Sequence, residues 1–442
     1  MAELDFLTDP ATMAHPISLT GQPQTQSQSE AQAQAQAQAQ LDPAHLFPGG
    51  PDRPSNLAIG VELKFLVPFL KEGSPDPSPA DHRPISRTPH IHADANADAG
   101  SPSAAASALL LQQAYHVVAS AIESAHQRAI AITEIASRDR QESDFWAEHW
   151  IVKKSNSSAP GPEDEARDRG ACVYAPLEIS SPRMSALDPR TYDVVRAVVR
   201  ALATRCRLVV NYTCEMHVHV GRYDGLPLSM PSLRNVAALC WLAEPVLRLL
   251  KDPASPNFHH LYTWSSPLRQ HSRLAGMVSS SAGNGGGGGS GGDRPDATAR
   301  DDSVALRAIY DAADPRTLGR LLSGVEKRYR RLGFNFSAFG LEDERAVRSP
   351  RSVEVRFFED YRGEDEVLGW MAVCVALAAV AVEERRDRFC WIVDALTGRP
   401  DAAARRTPAE RMRALLGMLG LEERVVKMFA DRVEGIYSKS LD

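Results

Sequence analysis

The chain has 442 residues, with 50 Lys and Arg against 56 Asp and Glu, a formal charge of -6 and a pI near 6.1. That balance gives no general electrostatic pull toward nucleic acid or an anionic membrane surface. Six dispersed cysteines without a CxxC exclude a dense disulfide framework. They fit reduced thiols in an intracellular, cytoplasmic protein.

The first residues, Met1 to Pro10, are acidic and lack the apolar stretch of a secretory signal. Residues 1–55 read as a low-complexity tail dominated by Gln–Ala alternation from Gln24 to Gln40, too polar to order itself. Leu57 to Pro68 is the first predicted strand: every odd position is apolar, with Glu62 and Lys64 on the opposite face. A Pro/Ser/Asp/His-rich insert over 73–107 is expected to be unstructured. An Ala-rich helix is predicted from about Ser107 to Ser137. Trp150 to Lys154 and Val173 to Ser180 read as strands around a second unstructured insert at 155–170. The valines of 189–206 recur at helical spacing.

Arg207 to Thr213 and Met216 to Gly221 read as adjoining strands, followed by a helix that Ser232 is placed to cap and that runs to about Leu250. The glycine-rich stretch within 279–302 is a third expected insert. It follows no strand and lacks a Lys-Ser/Thr ending, so it is not a phosphate loop. Strands are predicted at Tyr329 to Phe339 and Ser352 to Glu359. The longest apolar run, Val367 to Val382, is short for a membrane span and reads as a buried helix beginning near Glu364. A helical extension over 387–442 completes the chain. Strands separated by helices of unequal length indicate an α+β fold.

Four of these strands share one feature. Glu62 and Lys64, Glu178 and Ser180, His217 and His219, and Glu354 and Arg356 each project from one face, with aliphatic residues on the other. Strand by strand, a solvated sheet face with cross-strand ion pairs gives the same pattern. Glu, His and Arg in place of Thr, Ser and Lys favour a site instead. Two histidines at i and i+2 can point at one metal or anion, carboxylates with imidazole suit a divalent cation, and arginine suits a phosphate or carboxylate. The sequence holds its own control in His90-Ile-His92, an equal spacing within the first insert.

Five segments resemble, in order and character, the amidoligase family, which is grouped with the glutamine-synthetase-like carboxylate–amine ligases. They are Ile59-Gly-Val-Glu-Leu-Lys-Phe65, Trp150-Ile-Val152, Leu177-Glu-Ile-Ser-Ser-Pro182, Cys214-Glu-Met-His-Val-His-Val-Gly221 and Ser352-Val-Glu-Val-Arg356. The resemblance spans Asn56 to Glu384, within a domain placed at 56–386. It implies a curved, mainly antiparallel sheet with helices packed on its back, a glutamine-synthetase-like catalytic domain. It further implies ATP and Mg2+ as cofactors. Glu62, His217 and Glu354 would hold one metal, and Glu178 would belong to a second metal site. His219 would lie near the phosphates and Arg356 would hold the transferring phosphate or substrate. Lys64 is not a residue the family supplies; from its place beside Glu62 on the strand face it is expected to reach an incoming phosphate and fill part of the charge role of a second cation. Three departures stand out: Lys64 replaces a second acidic residue, Lys153-Lys154 stand where an Asp is usual, and Phe357-Phe358 replace a polar pair.

The implied activity is ATP-dependent amide-bond formation between a small-molecule or peptide carboxylate and an amine, through an acyl phosphate. Two alternatives remain open at this level. One is a ligand- or nucleotide-binding scaffold that has lost turnover, favoured by Lys64. The other is a metal-dependent hydrolase, less favoured because its HxH opens the first strand rather than a mid-chain one.

Overall fold

The computed structural model describes residues 52–88, 104–135, 142–258, 265–283, 300–325, 331–340, 351–383, 386–398 and 406–438. Most of the N-terminal tail, His90-Ile-His92 and the glycine run lie outside them.

Helices and a nine-stranded mixed sheet make up the fold. The strands are β1 (Leu57–Leu70), β2 (Ser86–Arg87), β3 (Ala129–Ala131), β4 (Trp150–Lys154), β5 (Cys172–Ser180), β6 (Met184–Ser185), β7 (Glu215–Arg222), β8 (Phe334–Asn335) and β9 (Val353–Glu359). Their order is β3-β4-β5-β1-β7-β9-β8, with β2 and β6 both paired to β1. Among the described strands only β1/β2 and β3/β4 are parallel pairs; the other strand pairs are antiparallel. β1 is central because its odd residues are uniformly apolar and its far end is buried on both faces.

Register does the work of assembly. Antiparallel pairing sets Glu62 opposite both Ser180 and His217, Lys64 opposite Glu178, Lys153 opposite Glu178, and His219 opposite Glu354. The polar residues therefore fall on one face, and a slip of one residue would send them all to the other.

The apolar face meets helices α1 (Ala104–Glu123), α3 (Pro189–Arg205), α4 (Met230–Leu247) and α5 (Glu364–Val382), with α2 (Pro162–Asp168) lying between β4 and β5 in sequence. By length and composition, Ala105–Glu123 and Glu364–Val382 are both apolar enough to cross a membrane. α5, however, is enclosed by α3, α4, β1 and β7, with Trp370 fully buried, as expected of a core helix. Helices α6 (Asp387–Thr397), α7 (Pro408–Met418) and α8 (Glu423–Ser438) belong to the same apolar core and are not an appended extension. All six cysteines are free, five of them buried.

Several sequence expectations need correction. The insert at 155–170 is ordered. It contains α2, whose Asp164 is buried and accepts from the Gly161 backbone and the Asn211 amide. Part of the 73–107 insert is ordered too. Arg207 pairs with Asp76 at 2.7 Å and donates to the carbonyls of Asp81 and Arg83, pinning this polar segment alongside β1. The same engagement leaves 207–213 with one bridge, Leu66 to Val209, in place of a strand.

The Ala-rich helix ends at Glu123, where His126 turns left-handed (φ 60°) and releases Ala129–Ala131 to pair with β4. Ser229, not Ser232, caps α4, because Pro231 suits the first turn and Ser232 already donates its backbone N–H to the Ser229 hydroxyl. Residues 329 and 330 of the strand predicted at 329–339 lie outside the described residues, and within 331–339 the ladder is Phe334–Asn335, since 337–340 turn helical. At the third insert, 279–283 end one helix and 300–302 begin another.

Candidate metal centre on the sheet face

The polar face is not a wet one. Lys64, Glu178, His217, Glu354 and Arg356 are all buried, which excludes a merely solvated sheet surface. They line a cleft of about 920 Å³ together with Glu62, His219, Lys153, Trp146 and Ser180, a volume in the range of small-molecule sites.

At its floor, three ligand atoms of Glu62, His217 and Glu354 lie within 4.8 Å of one another. His217 Nδ1 is 3.1 Å from Glu62 Oε2 and 3.0 Å from Glu354 Oε1. Its Nε2 is 3.3 Å from Glu215 Oε2 and 3.1 Å from Lys64 Nζ. Nε2 can accept from Lys64 or donate to Glu215, but not both at once. Glu354 is clamped from behind by Arg356 Nη2 at 2.6 Å and by the Asn335 amide at 2.8 Å, both donating to Oε2, so that Oε1 faces the cleft. The Ser180 hydroxyl donates to Glu62 at 3.4 Å.

Burial acts most strongly on these carboxyls and pushes them upward. At Glu62 it is outweighed by the Lys153 charge and the two imidazoles, and at Glu354 by Arg356 and the same imidazoles; both are held well below the usual carboxylate range. Burial, Lys64 and Arg356 all push His217 down, yet hydrogen bonds to Glu215 and Glu354 leave it pushed up to about 9. The ionised carboxylates thus favour a positively charged partner at this point, which a protonated His217 supplies. Glu62, Glu178 and Glu354 line the cleft with Lys64, Lys153 and Arg356, and Arg183, Arg222 and Arg351 add further positive charge around it, while Glu215 lies beneath and faces Lys251.

Of the residues singled out from sequence, Glu62, His217, His219, Glu354 and Arg356 come together. Glu178 stands apart from the triad, its carboxylate held by Lys153 at 2.9 Å, while the same ammonium lies 3.7 Å from Glu62 and 5.0 Å from the Trp146 ring centre. Lys153, noted in the sequence as a departure, was not placed in the site, and Glu215 and the layer beneath were missed. Glu215 accepts from Ser265 Oγ at 2.9 Å and faces Lys251 at 3.7 Å; Lys251 in turn pairs with Glu359 at 3.0 Å and meets the Ser265 hydroxyl. Glu215 was legible, since extending the β7 alternation back by one pair reaches it. Lys251 and Ser265 lie outside any strand and carry no periodic signal.

The fold and site together define a mixed α/β protein with a His/Glu cluster on one face of an open sheet. No protein-family model and no curated protein matches the chain.

Proposed function

We propose that this protein is a divalent-metal-dependent, ATP-using carboxylate–amine ligase, as its resemblance to the amidoligase family implies. The observation that supports the reading best is the convergence of Glu62, His217, Glu354 and Arg356 at the floor of one cleft large enough for a nucleotide and a second substrate. The donor set fits a metal: two carboxylates and an imidazole nitrogen aimed at one point, with the far nitrogen of His217 beside Glu215. Glu62, His217 and Glu354 would hold the ion, which would neutralise phosphate charge when bound.

The chain's own groups then have definite tasks. Arg356 is fixed by Glu354 and presents its guanidinium beside the metal position, where it would orient phosphate oxygens. Lys153 supplies a second positive charge at the Glu178 side of the cleft. A substrate carboxylate oxygen would attack the γ-phosphorus with loss of ADP. An amine would then displace phosphate from the acyl carbon and give up a proton, forming the amide. Arg183 and Arg351 line the same cleft and would meet anionic substrate groups.

The test is ADP release by the purified chain with Mn2+ or Mg2+, screened against pooled amino acids and peptides. Turnover that disappears in Glu354→Gln is expected, with metal affinity about 10–100-fold weaker. Absence of any ATP binding overturns the reading. The ion pair of Lys153 with Glu178 favours a second reading, a nucleotide-binding scaffold without turnover, which predicts metal-dependent ATP binding with no ADP released under any substrate pool.

A further inference from the structure

We propose that His219 is a fourth ligand of the ion at the cleft floor, and that this His2Glu2 set takes an imidazole-binding transition ion such as Mn2+, Co2+ or Zn2+ in preference to Mg2+. The inference rests on the floor being a metal centre, though not on ligase turnover.

His219 Nε2 is buried and lacks a well-formed hydrogen bond, its nearest oxygens standing at the outer limit of one. It faces Glu62 Oε1 at 3.5 Å and Glu354 Oε1 at 3.6 Å, the two carboxylates that also flank His217 Nδ1. A buried polar atom left in that state is costly unless something else satisfies it. Its partner nitrogen is already engaged, with Nδ1 3.1 Å from the Ser352 hydroxyl. With the proton on Nδ1 and donated to Ser352, Nε2 keeps its lone pair and aims it between the carboxylates.

His217 is built to the same plan with the nitrogens exchanged. Nδ1 faces Glu62 and Glu354, and Nε2 can donate to Glu215, itself steadied by Ser265 and Lys251. Each imidazole therefore has an outer nitrogen beside a fixed oxygen and an inner nitrogen on the same pair of carboxylates. β7 supplies both because residues 217 and 219 share a face, with His219 opposite Gly60 of β1.

The nitrogen–oxygen spacings fall in the coordination range, while His219 stands outside the group of Glu62, His217 and Glu354 whose ligand atoms lie within 4.8 Å of one another, so its ring must turn inward to reach the same ion. Ligand atoms about 2.0–2.2 Å from a common ion are separated by about 3 Å at right angles and about 3.4 Å at tetrahedral angles. The four nitrogen–oxygen separations here run from 3.0 to 3.6 Å. Two imidazoles then decide the class of ion. Mg2+ prefers oxygen ligands and retains water, whereas nitrogen donors favour later first-row divalent ions.

The test uses the full chain without an affinity tag, stripped with chelator and titrated with Co2+, read by calorimetry and by visible absorption. One Co2+ per chain is expected, resistant to a hundredfold excess of Mg2+. His219→Ala and the more conservative His219→Asn should bind Co2+ about 10–100-fold more weakly and with an altered ligand-field spectrum. Far-ultraviolet circular dichroism of each variant establishes that it is folded. Unchanged affinity and spectrum in both folded variants, or displacement by equimolar Mg2+, would overturn the assignment of His219 and the ion class while leaving the three-residue centre intact. Failure of the wild type to bind Co2+, or indifference to Glu354→Gln, would instead remove the metal centre and this inference with it.

Discussion

Lys153 shows how a single side chain can rewrite a site. Its ammonium rests against Glu178 and within 3.7 Å of Glu62, where the family resemblance leads one to expect a carboxylate and a second cation. A tethered charge needs no binding step and repels a mobile ion of the same sign. Lys153→Met should therefore cost stability without metal, about 1–2 kcal/mol. That is less than the loss of a fully buried partner, because a quarter of the side chain is exposed. Added Mn2+ should restore that loss through a second, weaker binding event absent from the wild type. Denaturant melts of both proteins with and without Mn2+ decide the matter; equal melts or an unrescued variant would show that Lys153 holds no ion's place. Much of this chemistry was legible in the sequence, since two-residue alternation alone places Glu62, His217, His219, Glu354 and Arg356 on one face. Their partners were not: which cation meets which carboxylate depends on the strand order β4-β5-β1-β7-β9, which no local pattern encodes.

At the scale of elements, β8 and β9 close the site through a tight approach. Gly333 donates its backbone N–H to Ser266 and accepts from the Arg356 backbone, with the Phe357 ring packed directly on its α-carbon; a Cβ there would overlap the ring. Phe357 is fully buried and tilted edge-on to Phe334, so it has nowhere to move. Gly333→Ala should destabilise the protein by about 1–3 kcal/mol through overpacking and should shift Arg356. A denaturation midpoint equal to that of the wild type would contradict this packing.

The segment 73–88 makes a different prediction. Asp76, through its hydrogen bond to Arg207, and Asp81, through that to Arg83, are held below their ordinary values. Depressed carboxyls stabilise above the unfolded value, near 3.9, and that support is lost as pH falls through the folded values. Proteolysis within 73–88 by an acid-active protease should rise as pH drops below about 4, and Arg207→Ala should show high cleavage already at neutral pH; a pH-independent rate would refute the linkage. Composition misleads here, because Pro, Ser and Asp suggest disorder whereas the ion pairs of Arg207 with Asp76 and of Arg83 with Asp81 fix the chain.

On the scale of the whole molecule, the last helix is tied to the strand that bears Glu354 and Arg356. Arg432 donates to the Glu359 carbonyl at 2.8 Å, pairs with Glu366 at 3.0 Å and lies over the Phe358 ring, while Phe429 packs edge-on to Phe358 and Trp370. Phe429→Ala should cost about 3–5 kcal/mol, and fluorescence and circular dichroism should still report one shared unfolding transition. Two separated transitions would mean that α6 to α8 fold on their own.

Synthesis order adds a burden. β1 is made first, yet its neighbours β5 and β7 begin more than a hundred residues later, at Cys172 and Glu215, and α8 later still. At ribosomal speeds the central strand, fourteen residues long and almost wholly apolar, has no partner but the two residues of β2 for on the order of ten seconds. Throughout that interval nearly all of both its hydrogen-bonding edges is open to any other nascent chain, so the yield of this protein in a cell depends on chaperone supply before it depends on equilibrium stability.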